Sequence, residues 1–166
     1  MKYFIDTEFL ENGPAYPIQL VSVGIVAEDG RELYLELDGF PSGLANDWVK
    51  ANVLPHLLGH PYSVDRDEVK RAITQFVQGD DAPEFWGYYA DYDWVVFAQI
   101  FGTMMDLPKG WPMYCRDLKQ YCDQLGNPTL PKQASTEHNA LHDARWNKTA
   151  FEFLRDHVDC ALGAER

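Results

Sequence analysis

Met1-Lys2-Tyr3-Phe4-Ile5-Asp6-Thr7-Glu8-Phe9-Leu10-Glu11-Asn12 opens the chain. The apolar run from Tyr3 to Ile5 leads straight into Asp6 and Glu8, and residues two apart in an extended strand project to the same face. Two carboxylates therefore converge at the end of a buried strand. Burying two unpaired carboxylates side by side is costly unless a cation lies between them. An isolated Asp-x-Glu is commonly a solvated strand face, because charged residues are mostly exposed. This one interrupts an apolar strand, and two further acidic clusters follow it.

The surrounding chain reads as a scaffold for those clusters. Gly13 to Pro17 form a turn by their Gly and Pro content. Ile18 to Val26 is β-branched and nearly continuous, as a central strand is, and Glu28-Asp29-Gly30 signals a hairpin into the alternating strand Glu32–Leu37. Ser42 to Val53 and Ser63 to Val77 read as helices, the second with Ser63 or Asp65 as cap and Val69, Ile73, Phe76 and Val77 at helical spacing. A short aromatic strand over Pro83 to Tyr89 precedes a helix from Tyr92 to Phe101. A fifth strand is predicted around Met113 to Cys115, then a helix from Arg116 to Leu125 stopped by Gly126. After a loop over Pro128 to Ser135, the last helix begins near Asn139 and runs to about His157. Three meander strands followed by strand–helix alternation predict a mixed α/β sheet of five strands flanked by helices, as one domain over residues 1–166.

Composition narrows the function. With 166 residues, 46% of them hydrophobic and 14% aromatic, the chain can bury a sizeable core. No apolar run reaches the ~18 to 20 residues of a membrane span, and the N-terminus has no signal-peptide pattern, so a soluble, cytoplasmic protein is expected. Cys115, Cys122 and Cys160 lack the Cys-x-x-Cys spacing of zinc and redox sites and read as reduced thiols. The net charge is −12, from 26 acidic and 14 basic side chains. Such a field repels nucleic acid, so a polyanionic ligand would need cations to invert it locally.

The second acidic cluster, Asp91 and Asp93, falls where a strand gives way to a helix. One of the two can be a cap or a dipole partner, but both cannot cap one helix. An Asp in that first turn sits at the carboxyl edge of the sheet, beside Asp6 and Glu8. The third cluster is Glu137-His138-Asn139-Ala140-Leu141-His142-Asp143. Five residues along a continuous helix rotate by ~140°, so His138 and Asp143 can serve one site only if the helix starts between them. The loop at Gln133 to Thr136 is compatible with that.

Asp6-Thr7-Glu8, an Asp in an aromatic and apolar setting, and His138-Asn139-Ala140-Leu141-His142-Asp143, in that order, resemble the signature of the DEDDh 3′-to-5′ exonucleases, which have the ribonuclease-H-like fold. The signature spans residues 6 to 143, and in detail the chain looks like the RNase AS group, relatives of RNase T described as acting on adenylate-containing RNA. Tyr89 stands where an Asn is common in the family, and Asp93 aligns better with the third carboxylate than Asp91. The resemblance implies a 3′-to-5′ exoribonuclease acting on single-stranded RNA and releasing nucleoside 5′-monophosphates. It also implies a homodimer. Asp6, Glu8, Asp93 and Asp143 then hold two Mg²⁺ ions, for which Mn²⁺ can substitute, because hard oxygen ligands without Cys or paired His select those metals. His138 is the implied general base, a role that the near-neutral pKa of imidazole suits. Thr7, Phe9 and Leu10 are implied to border the terminal nucleotide. Phe9 has two readings, a face for base stacking or a core side chain. A nuclease acting on DNA and a catalytically idle binding module are the alternatives.

Overall fold

Tyr3, Phe4 and Ile5 are at most 1% exposed, and they anchor the strand around which the fold is laid out. The computed structural model describes residues 1–133 and 137–163, with the side chains of 159–163 excepted. Strand β1, Lys2–Leu10, lies inside a sheet whose strands are β2, Gln19–Ala27, β3, Glu32–Leu37, β4, Ser63–Val64, β5, Glu84–Gly87, and β6, Arg116–Asp117. Their spatial order is β4-β3-β2-β1-β5-β6. β1 pairs antiparallel with β2 and parallel with β5. The five α-helices among the described residues are α1, Asp47–Asn52, α2, Arg66–Val77, α3, Asp91–Phe101, α4, Leu118–Gln124, and α5, Ala140–Gly163.

The alternation of β1 sorts its side chains between two layers. Tyr3 and Ile5 join Val69 and Ile73 of α2 and Phe97 of α3 on one face. Phe4 joins Leu118 of α4 and Ala144, Phe151 and Leu154 of α5 on the other. Asp6 and Glu8 follow the parity of Phe4, so they point to the α5 side. A third cluster, Leu10, Val21, Ala45, Val49 and Val53, seats α1 against the far end of β1.

The mixed α/β class is as expected, but the sheet has six strands rather than five. Ser63 and Val64, assigned from sequence to a helix start, instead pair with Glu36 and Leu37. Two residues are too few to display a period. Helix α2 begins only after Asp65, whose side chain accepts from the Glu68 N–H at 2.8 Å. The strand expected at Met113 to Cys115 lies at Arg116–Asp117, in register with Trp86 and Gly87, and Asp117 caps the helix that follows through the Gln120 N–H. The helix expected over Ser42 to Val53 is a 3₁₀ turn at Ser42–Leu44 followed by α1, because Asn46 caps at Val49. Of the loop predicted before α5, residues 134 and 135 lie outside the described residues, as does residue 136. Cys122 is buried and unpaired, Cys115 is half-buried and unpaired, and the Cys160 side chain lies outside the described residues. Among the described residues no helix is long and apolar enough to cross a membrane.

Gly24 makes the α5 side habitable for a carboxylate cluster. It pairs with Asp6 across the β1–β2 ladder, and a Cβ built on it would lie 2.2 Å from the Ala140 carbonyl oxygen. The first turn of α5 therefore rests directly on the β2 backbone, a contact only glycine allows. One turn later the Asn147 side-chain amide, 1% exposed, donates to the Ile5 carbonyl at 2.9 Å. Gly24→Ala should push the start of α5 off the sheet and cost about 1 to 3 kcal/mol, the usual range for overpacking. Urea denaturation measures that loss, and an unchanged midpoint would show that α5 does not depend on this approach.

Candidate active site

β5 ends at Gly87 while β1 continues, so beyond the Phe4–Trp86 pair the β5-facing edge of β1 has no strand partner. Buried backbone groups left open in this way need other partners. Helix α3 supplies one. Asp93 in its first turn accepts from the Thr7 N–H at 2.8 Å and the Thr7 hydroxyl at 2.7 Å. Asn147 supplies the other from α5. Asp93 is 8% exposed, whereas Asp91 is exposed.

On the α5 side the ligand oxygens of Asp6, Glu8 and Asp143 all lie within 4.8 Å of one another, close enough to hold a metal ion. Asp143 is positioned from its own helix terminus. Asn139 caps α5 by accepting from the His142 N–H. One carboxylate oxygen of Asp143 reaches back to the His138 N–H at 2.9 Å, and the other accepts from the Gln133 side-chain amide. The helix thus begins at Ala140, between His138 and Asp143, which is the condition for both to face one site. His138 lies just ahead of it in a left-handed backbone conformation, φ +70°. Its ring stands edge-on to Trp48 of α1, with centroids 4.8 Å apart. Asp6, His138 and Asp143 line a cleft of about 140 Å³ with Tyr88, Trp146 and Asn147.

The electrostatics are those of crowded, desolvated acids. Burial, reinforced by Asp93, Asp143 and Glu8, raises the Asp6 carboxyl well above its ordinary range. Burial, and then Asp143 and Asp93, pushes Glu8 up to about 8. Burial pushes Asp93 up to about 6 although the Thr7 hydrogen bonds pull it down. Asp143 is raised by burial, against the lowering effect of the His138 N–H and the Gln133 amide. A cluster that resists its own ionisation is one that a divalent cation would stabilise.

The three residues expected at the terminal nucleotide sit differently from one another. Thr7 is 4% exposed, with its hydroxyl committed to Asp93. Leu10 is 1% exposed in the α1 cluster, so its side chain is core. Phe9 is half-buried and stacks on Tyr92 of α3 at 5.8 Å and 10° between ring planes. Trp48, Gln133 and Asn147 were missed in the sequence. Asn147 carried a signal, since it lies four residues after Asp143 on the same helical face. Trp48 and Gln133 carried none, because only tertiary folding brings them in.

The fold and this acidic edge define an α/β protein whose carboxylate cluster could hold a metal ion through oxygen donors alone, and sequence comparison gives its family. Residues 1–155 match the model of the 3′-5′ exoribonuclease Rv2179c-like domain, and the chain belongs to that family. It is 36% identical over 170 residues, covering 100% of both chains, to the 3′-5′ exoribonuclease Rv2179c of Mycobacterium tuberculosis strain H37Rv. The same identity and coverage hold for the 3′-5′ exoribonuclease MT2234.1 of strain CDC 1551.

The raised carboxyls set a pH signature. Glu8 and Asp93 retain protons in the fold that the unfolded chain, with ordinary carboxyl pKa values near 4, has already released. Stability of the metal-free protein therefore falls as pH rises from about 4.5 towards 8. Each unit of elevation is worth about 1.4 kcal/mol, and a chain of this size loses roughly 2 to 4 °C per kcal/mol. Thermal melts in chelator should show a drop on the order of ten degrees between pH 5 and 8, abolished by divalent cation. A flat profile would mean that these acids are not crowded in solution.

Proposed function

We propose that this chain is a DEDDh exonuclease of the RNase AS kind, hydrolysing single-stranded RNA from its 3′ end to nucleoside 5′-monophosphates with preference for adenylate-containing RNA. The observation that carries the reading is the convergence of Asp6, Glu8 and Asp143, with Asp93 one hydrogen bond away at Thr7 and His138 on the rim. The family membership supports the same activity. The whole chain acts as one catalytic domain, as a cytoplasmic homodimer.

The donor set fits Mg²⁺ or Mn²⁺, since hard carboxylate oxygens without thiolates favour those ions. Asp6, Glu8, Asp93 and Asp143 would hold two of them. When bound, such a pair activates water as a nucleophile and neutralises charge on the attacking and leaving oxygens of an in-line displacement. The side chains do the rest. His138 Nδ1 or Nε2 takes the proton of the attacking water, after its ring leaves the Trp48 edge and turns to the cleft. Thr7 fixes Asp93, and the Asn139 cap and the His138 N–H fix Asp143. Phe9 and Tyr92, adjacent in sequence to Glu8 and Asp93 and stacked on each other, offer an aromatic surface, and base stacking is worth about 1 to 3 kcal/mol per base.

The test is a ladder assay on a 5′-labelled single-stranded RNA beside a deoxyribo-oligonucleotide of the same sequence. Stepwise shortening from the 3′ end is expected with Mg²⁺ or Mn²⁺, is lost in chelator, and runs faster through adenylate tracts. Robust hydrolysis in excess chelator would overturn the two-metal reading, and a preference for the deoxy strand would overturn the substrate class. His138→Ala should lower the turnover rate by ~10² to 10⁴, the range of a general base, while metal affinity stays near wild type. Weakened Mg²⁺ binding with an intact saturated rate would instead make His138 a site organiser.

A further inference from the structure

We infer that the Ser22 hydroxyl is the positioning group for Glu8, donating to its carboxylate and aiming it at bound metal. The inference rests on the metal-binding reading of the site. Its origin is an imbalance in hydrogen bonding along one row of the sheet.

Ser22 lies on β2, paired with Glu8 of β1 on one side and Glu36 of β3 on the other. Directly opposed residues in a sheet have their Cβ atoms about 4.5 to 5.5 Å apart on the same face. The row therefore reads carboxylate, hydroxyl, carboxylate across three strands. Ser22 is 1% exposed, and its buried Oγ has no partner in hydrogen-bonding geometry; the Tyr34 hydroxyl stands near it but donates to Glu36. A buried hydroxyl left unpaired costs on the order of 1 to 3 kcal/mol, so its presence calls for an acceptor.

Of the two neighbouring carboxylates, Glu36 is already served. It is 3% exposed and accepts from the Tyr34 hydroxyl at 2.8 Å, the Leu58 N–H, and the Gly59 N–H at 2.9 Å. Those three bonds tie down the chain after α1 and leave Glu36 with both oxygens already accepting. Glu8 accepts no hydrogen bond among the described residues, and only burial and neighbouring charges act on it. Asp93 and Asp143, by contrast, are each held by two donors. Glu8 has one more side-chain torsion than an aspartate and so has most need of an anchor. Across from Asp6, Gly24 makes room for α5; across from Glu8, Ser22 supplies a proton. The two β2 positions facing the carboxylates thus have separate tasks.

The test measures metal binding rather than turnover. Groups that orient a metal ligand typically contribute 10- to 100-fold in affinity. Ser22→Ala should weaken Mn²⁺ binding, followed by isothermal titration, by about that factor. Its melting temperature in chelator should be unchanged or higher, since an unpaired buried hydroxyl has been removed. Ser22→Cys keeps the volume and offers only a weak S–H donor, so it should lose affinity too. Wild-type affinity in either variant, or a lower melting temperature in chelator with affinity intact, would overturn the inference and make Ser22 a packing residue. Those outcomes leave the proposed function standing if the wild type binds Mn²⁺; a wild type that binds no divalent cation overturns both.

Discussion

Asp6, Glu8, Asp93 and Asp143 share one corner of a sheet in which water is largely displaced, and each has its carboxyl pushed upward by burial. That repulsion is the constraint the surrounding structure must withstand. Full burial of a Phe, Leu or Ile side chain contributes about 1.5 to 3 kcal/mol, and β1 carries Tyr3, Phe4 and Ile5 immediately before the acids. The strand is pinned on both faces by side chains of either parity, so its downstream residues cannot move apart. Helix α5 is pinned as well, by Gly24 underneath and by the Asn147 amide on the Ile5 carbonyl. The strand and helices carry the charges, and two donors from the segment before α5, the His138 N–H and the Gln133 amide, fix Asp143.

The same constraint explains how much of this was legible in the sequence. Long β2 and β3 and the amphipathic α2 showed themselves by period and composition, because tertiary contacts there reinforce local preference. The acidic clusters were legible because charges that interrupt apolar runs are rare. Asp91 and Asp93, alike by capping logic, are set apart in the fold by a long-range contact. Asp93 faces Thr7, 86 residues away, and its neighbour two positions earlier faces solvent. β4 escaped and β6 was expected a few residues too early, and each is two residues long. Neither has a period of its own, and both exist only because a neighbouring strand presents free backbone groups. The burial of the Leu10 side chain was not legible for a related reason, since it depends on where α1 docks.

An acidic chain acting on RNA poses an electrostatic problem that the arrangement of charge helps to solve. With a net charge of −12, the protein cannot gather a polyanion by its bulk field. A cluster of desolvated carboxylates concentrates the negative potential at one cleft, which is where divalent cations are drawn. On the proposed function, affinity for the strand end then follows metal occupancy rather than basic patches. The many basic side chains committed to local ion pairs fit this picture: Arg145 with Glu32, Lys2 with Glu28 and Arg31 with Asp29 leave little positive surface near those partners.

The site also divides its groups into fixed and movable ones. Asp6 and Glu8 come from a strand and Asp93 and Asp143 from first turns of helices, and none of their backbones can shift without breaking a ladder or a helix turn. His138 is different. It lies ahead of α5, outside regular structure, its backbone has a φ of +70°, and non-glycine residues hold that conformation only when their surroundings dictate it. Here the surroundings are the Asp143 carboxylate on its N–H and the Trp48 edge on its ring. The first contact ties the His138 backbone to a residue of the acidic cluster; the second holds the ring by an aromatic contact of modest strength, on the order of 1 kcal/mol. On the proposed function, a group that accepts a proton and then releases it gains from this combination, because its backbone is tied to the cluster while its ring is held only by that modest contact.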